Sequence, residues 1–285
     1  MSLLCAFSLA SADAATKRYL SDYAASELVV IRFAFAGILL VPALLLQPLP
    51  PLPAPFWVRL AVLVPLEILA MLLYMRAITT NPLANTVPYL AFTPVLSTLT
   101  GFVLLGERVS TLGSIGVLLV SVGAYALNFD LVVADGERSL LRPIKAILHE
   151  TGPRLMLGVA VVYSVTSALG KSALQYVPAS FFAPFYFSLL GVATLVIFSW
   201  TTPRMIEVIW RRPGPQLLVG LAMAAMAITH YLAIQRVEVA YMIAVKRTSL
   251  LFSILYGALI FKEPRLAQHL FAGVLMAAGV VLIAI

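Results

Sequence analysis

Long runs of apolar residues alternate with short polar connections along the whole chain. Most runs approach the length of about 20 residues that a helix needs to cross the hydrocarbon core of a bilayer. Prolines and charges cluster between the runs, as at 47–55 and 211–215, and mark turns. The pattern predicts an all-α integral membrane protein with ten transmembrane helices. Their expected positions are 2–20, 27–47, 57–78, 83–105, 111–128, 155–175, 181–200, 215–236, 239–260 and 266–285.

One stretch of the chain occurs twice. Residues 84–128 reappear as 240–284 after a constant shift of 156 positions. Apolar matches are common in so hydrophobic a chain, and the polar and glycine matches therefore carry the weight. Ser97, Gly101, Glu107 and Gly123 fall on Ser253, Gly257, Glu263 and Gly279. A fixed shift of this kind indicates that one unit was duplicated.

The longest polar stretch, 129–154, divides the ten predicted spans into five and five. We therefore expect a first five-helix repeat at 1–128, a polar linker loop at 129–154 and a second five-helix repeat at 155–285. Because each half crosses the membrane an odd number of times, the second half runs in the opposite sense to the first. Two inverted repeats of this kind are common in secondary transporters, which open alternately to either side of the membrane.

Composition excludes several classes of protein. With 62% hydrophobic and 11% charged residues, the chain has too little polar surface to face water all round. The net charge of +7 does not indicate nucleic acid as a partner, because no basic run is interleaved with aromatic residues outside the apolar segments. Cys5 is the single cysteine, which excludes an internal disulfide and a cysteine-based metal cluster. The expected partners are the lipid bilayer and a small-molecule substrate.

The motif that follows spans four and nine resembles a known family. A Leu-Gly-Glu run at 105–107 precedes a glycine-rich fifth span, and a Lys-Glu-Pro run at 262–264 precedes a glycine-containing tenth span. Lys17, near the end of span one, and Arg32, early in span two, also occupy positions that the family often fills with these residues. On these motifs, the sequence resembles the EamA-type branch of the drug/metabolite transporter superfamily over essentially its whole length.

The resemblance implies a ten-helix inverted-repeat fold with a central cavity lined mainly by spans one, three, four, six, eight and nine. Members of this family move amino acids, other small metabolites or drugs without hydrolysing ATP, and usually keep both termini in the cytoplasm. The charges of this chain favour the opposite orientation. Thirteen of the 19 Lys and Arg residues fall on the side away from the termini, which the positive-inside rule assigns to the cytoplasm. The orientation is left open.

Six residues inside the predicted spans are candidates for substrate binding: Glu67, Asn85, Tyr89, His230, Lys246 and Arg247. Glu67 lies near the middle of span three, where a carboxylate costs several kcal/mol unless it is paired, protonated or hydrated. It is interpreted either as a proton-coupling or amine-binding group, or as a protonated acid bonded to a neighbouring helix. His230, in span eight, fits a hydrogen-bonded packing residue better than a proton relay.

The adjacent cations Lys246 and Arg247 lie about two turns into span nine. They are interpreted either as a binding site for a carboxylate or phosphate, or as side chains that reach back to the membrane surface. Asn85 and Tyr89 lie about one turn apart in span four, beside two prolines. Because proline frees backbone carbonyls, span four is predicted to be bent or broken where it lines the site.

Four other ionisable residues are expected to have structural roles. Arg32 and Lys171 lie near span ends, from which their side chains could reach the membrane surface. Glu107 and Glu263 are each predicted to cap the amide groups at the start of the helix that follows.

No enzyme motif is present, and neither catalytic nor metal-binding residues are assigned. The function that the sequence favours is secondary active transport, with the protein expected to export a small metabolite such as an amino acid or an organic anion. The alternatives are a multidrug or cationic-amine exporter and, less favoured, an intramembrane enzyme. No cofactor is expected, and coupling to protons is left open. The protein is expected to be a multi-pass protein of the plasma or inner membrane, working as a monomer or a homodimer.

Overall fold

A computed structural model describes residues 1–80, 87–126, 150–202, 204–260 and 270–285. These parts of the chain are helical, and no strand occurs in them. The helices are α1 Ser2–Tyr19, α2 Ala25–Leu45, α3 Ala54–Thr80, α4 Thr93–Leu105, α5 Thr111–Ala126, α6 Thr151–Ala173, α7 Ala179–Thr201, α8 Met205–Trp210, α9 Pro213–Ile234, α10 Val239–Lys246, α11 Ser249–Ile260 and α12 Leu270–Ala284. A 3₁₀-helix, Val87–Phe92, precedes α4.

Five of the described helices are long and apolar enough to cross a membrane: α2, α3, α6, α7 and α9. Shorter apolar helices occur at 89–105, 111–126 and 272–284. Helix α1 has the length of a span, but it contains Asp13, Lys17 and Arg18 and is the most polar of the long helices. The described chain is therefore a multi-pass membrane protein built from helices.

Several boundaries differ from those predicted. The sixth span begins at Thr151, inside the predicted linker, because the polar residues that close the linker are compatible with a helix. The rest of that linker, 129–149, lies outside the described residues. Helix α8, between the seventh and eighth spans, was not predicted. Its six residues are too few to produce a readable apolar period.

The chain forms two compact units, and the first consists of residues 1–72 and 169–237. In this unit α2 packs against α7 through glycines. A Cβ added to Gly37 would lie 2.8 Å from the carbonyl oxygen of Phe187, and one added to Gly191 would lie 2.9 Å from that of Phe33. Gly37 and Gly191 lie 154 positions apart, and so do Phe33 and Phe187, so the two contacts correspond to each other in the two repeats. The first and second repeats therefore make equivalent contacts here.

The second compact unit consists of residues 73–168 and 238–285. In it α5 packs against α12. A Cβ on Gly116 would lie 2.7 Å from the carbonyl oxygen of Gly279, and one on Gly123 would lie 2.9 Å from that of Ala272. The 156-residue shift relates Gly116 to Ala272 and Gly123 to Gly279, so each of the two contacts corresponds to the other. Because the earlier residue of α5 meets the later residue of α12, the two helices are antiparallel. Each compact unit thus combines helices from both sequence repeats.

Candidate functional site

Two spans are interrupted at the same position of the repeat. Span four is a 3₁₀-helix over Val87–Phe92 and becomes an α-helix at Thr93. Span nine stops at Lys246 and resumes at Ser249. Thr93 and Ser249 are related by the 156-residue shift. Interrupted helices are characteristic of transporter binding sites, because unwound backbone at membrane depth is tolerated only against protein or a water-filled cavity.

Both interruptions are closed by a threonine hydroxyl. Thr93 Oγ1 donates to the carbonyl oxygen of Leu90 at 2.8 Å, and Thr248 Oγ1 donates to that of Val245 at 2.7 Å. The Thr248 amide also donates to Val245, three residues back, as in a 3₁₀ turn. The break in span four was predicted from its prolines. Span nine contains no proline, so its break could not be predicted in that way.

Lys246 is the last residue of α10, and Arg247 begins the two-residue turn that interrupts span nine. Arg247 is only 5% exposed and Lys246 is half-buried, so the guanidinium does not reach the protein surface. A buried cation is costly unless anionic or hydrogen-bonding groups compensate it. Lys246 and Arg247 both have interactions within the protein. An arginine can in addition bind a carboxylate or a phosphate group with two parallel hydrogen bonds, which makes these groups the ligands that the pair suits.

Tyr89 lies in the interrupted part of span four and is buried. It packs with Leu90 against Met156 and Val159 of α6, and Tyr163 borders the same cluster. The next turn of span four contacts α10 through a separate cluster that includes Ala91, Ala240 and Ala244. The structure therefore brings Tyr89 and the Lys246–Arg247 turn onto neighbouring helices of one compact unit. Asn85 lies outside the described residues.

Glu67 and His230 belong to the other compact unit. Glu67 is half-buried on α3, within electrostatic range of the phenol of Tyr231 in α9. His230 is buried beside that tyrosine, with ring centroids 4.9 Å apart. Tyr231 also meets Phe182 edge to face, at 4.8 Å. These contacts combine a carboxylate with aromatic rings, an arrangement suited to a cationic group.

Sequence analysis missed an ion pair in the first unit. Arg32, expected to extend to the membrane surface, is instead 1% exposed. Its Nη2 donates to Asp13 Oδ1 at 2.6 Å and to Thr16 Oγ1 at 3.0 Å. The available signal was Asp13 itself, a carboxylate within a predicted span, because ionisable groups at this depth are usually paired.

Glu107 stabilises a helix other than the one expected. Its Oε2 accepts a hydrogen bond from the Val239 amide at 2.8 Å, which caps α10 rather than the following helix, α5. The start of α5 is instead satisfied by Ser110, whose Oγ accepts from the Gly113 amide at 3.0 Å. Lys171 has the structural contact expected, since its Nζ donates to the carbonyl oxygen of Val237. Glu263 lies outside the described residues.

Within the described ranges, no group of three or more His, Cys, Asp or Glu residues is placed to hold a metal ion. Asp13 and Glu107 are instead engaged with an arginine and with a backbone amide.

Comparisons with known proteins are consistent with this architecture. One solved structure, described only as "Crystal structure of protein", is similar with a TM-score of 0.71 and 17% sequence identity, covering 100% of this chain and 98% of that chain. At this identity the likeness shows the fold alone. No curated protein matches the sequence. The model of the EamA-like transporter family matches residues 1–129 and 151–285. The chain therefore belongs to the EamA-like transporter family, a family of transporters within the drug/metabolite transporter superfamily.

Proposed function

We propose that this protein is a secondary active transporter that exports a small metabolite bearing a carboxylate or phosphate group, such as an amino acid or an organic anion. In this proposal ten spans form two inverted five-helix repeats in the plasma or inner membrane. The site opens alternately to the two sides. Family membership and the exchange of equivalent glycine contacts between repeats support this arrangement.

One observation carries the choice of an anionic solute. Lys246 ends α10, and the buried Arg247 begins the turn that interrupts span nine. The equivalent positions of the first repeat hold Leu90 and Ala91, which are uncharged. The second repeat alone therefore supplies a strong anion-binding group at this turn, as recognition of an asymmetric solute requires.

The first test is a thermal-stability screen of the purified protein with lactate, succinate and glutamate. A ligand that binds only the folded state stabilises it by RT ln(1 + [L]/Kd), or about 2.7 kcal/mol at 100 times Kd, so a hit requires no knowledge of transport direction. We expect at least one anion to raise the melting temperature. The Lys246→Ala/Arg247→Ala variant should lose that effect.

Arg236→Ala is the matched control, because this arginine is exposed in the turn before the same span. It should respond to the anion as the parent does. Proteoliposomes loaded with the stabilising anion then test transport and its direction. Stabilisation that survives in the double variant, or that disappears equally in Arg236→Ala, would contradict the assignment of the binding residues.

A second candidate function is export of multidrug-type or cationic-amine solutes. It is favoured by Glu67, which lies within electrostatic range of Tyr231 and its aromatic neighbours. Here tetraphenylphosphonium or an alkylamine should stabilise the parent and not Glu67→Gln, while the Lys246→Ala/Arg247→Ala variant should behave as the parent does. The two candidates therefore give opposite results with the same set of variants.

A further inference from the structure

The short helix α8 lies at one end of the first compact unit. It packs against α2, α7 and α9, each of which is long enough to cross a membrane. Because α7 ends just before α8 and α9 begins just after it, α8 belongs at the membrane surface, where these spans end. Its position is fixed by Gln216 of α9, which is fully buried and whose Nε2 donates to the carbonyl oxygen of Val208 at 2.8 Å.

The outer face of α8 is apolar and exposed. Met205 is buried against the unit, whereas Ile206 and Trp210, one turn apart, point away from it, and Trp210 is 71% exposed. Trp200, in the last turn of α7, is 86% exposed. Tryptophan is enriched at membrane–water interfaces because its ring is amphipathic. These side chains are therefore suited to contact lipid at the depth of the headgroups.

Two arginines at the end of α8 are held side by side. The guanidinium carbons of Arg211 and Arg212 lie over the ring of Tyr23, 5.1 and 5.9 Å from its centroid. Both arginines bind Asp22, at 3.1 and 3.0 Å, and both side chains remain about half exposed. Arg212 Nη1 also donates to the carbonyl oxygen of Tyr19 at 2.7 Å. One carboxylate thus orients two cations and neutralises the charge of only one.

An open cleft of about 680 Å³ lies beside this pair of arginines, and Arg204, Trp210 and Arg211 line it. Two carboxylates, Glu27 and Glu207, also line the cleft. Glu27 accepts a hydrogen bond from a backbone amide at 2.7 Å. Glu207 lies 4.0 Å from the Nε of Arg204, which is the outer limit for an ion pair. The cleft therefore places exposed guanidinium groups next to an exposed aromatic ring.

Cations exceed carboxylates at this end of the unit. The segments 17–27 and 204–212 contain five Lys or Arg residues and three Asp or Glu residues. The connection at the equivalent place in the first repeat, residues 46–53 between α2 and α3, contains neither a helix nor a charged residue. The repeat therefore does not need a charged helix at this place in order to fold, and its presence in the second repeat alone favours a separate role.

We propose that α8 and its flanking arginines form a binding site for the headgroup of an anionic phospholipid. Arg204 and Arg211 bind the phosphate, for which the arginine guanidinium is suited because it donates two parallel hydrogen bonds. The exposed tryptophans contact the lipid just below its headgroup. The excess of cations selects an anionic lipid over a zwitterionic one, since a zwitterionic headgroup carries a cation of its own beside the phosphate. Each basic residue near an anionic surface strengthens binding about fivefold.

The test uses the three tryptophans of the chain as local reporters of lipid. The variant Trp57→Phe/Trp200→Phe keeps Trp210 alone, and Trp200→Phe/Trp210→Phe keeps Trp57 alone. Trp57 is the reference, because it is exposed near the start of α3, which follows the opposite end of α2. Each protein is reconstituted into vesicles of phosphatidylglycerol and phosphatidylcholine, in which one lipid or the other is brominated. Bromine quenches nearby tryptophan fluorescence, so the two quenching values give the relative binding constant of phosphatidylglycerol at each position.

We expect Trp210 to report that phosphatidylglycerol binds at least about fivefold more strongly than phosphatidylcholine, and Trp57 to report no preference. With Trp210 as reporter, Arg204→Gln or Arg211→Gln should each lower the preference by up to about fivefold, and the double variant should abolish it. Arg204→Lys/Arg211→Lys keeps both charges and should retain most of the preference. Salt at about 1 M, where the Debye length is about 3 Å, should weaken it.

Arg236→Gln is the matched control, because it removes an exposed arginine beyond the far end of α9. It should leave the preference at Trp210 unchanged. Arg212 is kept in every variant, since it also binds the carbonyl oxygen of Tyr19. The substituted arginines are exposed, so each variant should fold, and a melting temperature close to that of the parent confirms it.

Several results would overturn the proposal. Equal quenching by the two brominated lipids at Trp210 excludes an anionic-lipid site, and quenching by neither excludes α8 from the lipid surface. A preference that is equal at Trp57, or that survives in Arg204→Gln/Arg211→Gln, shows that these arginines do not bind the lipid.

Two further results would also contradict it. A loss in the lysine variant as large as that in the glutamine variant shows that charge does not select the lipid. Release of the lipid by inorganic phosphate, but not by chloride at the same ionic strength, assigns the site to a soluble phosphate compound instead. The measurement contains no transported solute, so its failure leaves the proposed function intact.

Discussion

The close approach of α5 and α12 predicts a specific cost for adding one methyl group. In Gly116→Ala the new Cβ would lie 2.7 Å from the Gly279 carbonyl oxygen and 2.8 Å from Ile283 Cγ1. The first of these atoms belongs to backbone, so relief requires the helices to separate. Overpacking of this kind costs about 1–3 kcal/mol, and alanine returns about 1 kcal/mol of helix propensity. We expect a net loss of up to about 2 kcal/mol.

Gly158→Ala is the control, because Gly158 also lies inside a helix, α6, and has nothing within 4 Å of an added Cβ. That variant should be stabilised by up to about 1 kcal/mol. The assay is the apparent melting temperature of each purified variant, on which 1 kcal/mol corresponds to about 2–4 °C in proteins of comparable size. If Gly116→Ala melts at or above the temperature of Gly158→Ala, the close approach of the two helices is wrong.

Three further substitutions test contacts in the two units by the same melting assay. Glu107→Gln should lose about 1 kcal/mol, because a charged cap of the Val239 amide becomes neutral, and an unchanged melting temperature would argue against this cap. Asp22→Asn should cost less than about 1 kcal/mol and lose that effect in high salt, since its pairs with Arg211 and Arg212 are exposed; an undiminished loss in high salt would contradict this. Tyr241→Phe should cost about 1 kcal/mol through the hydrogen bond that the Ser110 amide donates to the phenol at 3.0 Å, and a melting temperature equal to that of the parent would refute that contact.

The contacts within the units also bear on how the repeat is used. The predicted halves, 1–128 and 155–285, are continuous in sequence, whereas each compact unit takes helices from both. The equivalent glycine contacts explain why. Helices that correspond in the two repeats, α2 with α7 and α5 with α12, pack against each other more extensively than against helices of their own half. Duplication thus produced pairs of interlocking helices.

The sequence by itself was sufficient for the class of protein, the family and the duplication. Membrane insertion depends on apolar composition and on run length, both of which are properties of the chain alone. The repeat is visible at a fixed shift because glycine, serine and glutamate matches stand out in an apolar background. The bend in span four was also predictable, since proline acts locally on its own helix.

Only the tertiary structure decided which groups compensate the buried charges. Arg32 was expected to reach the membrane surface, yet its partner Asp13 lies 19 residues away on another helix. Glu107 was expected to cap the next helix, yet it caps one 132 positions later. Span nine is interrupted without a proline. In each case the outcome depends on contacts between helices, and a pattern within one helix contains no information about its neighbours.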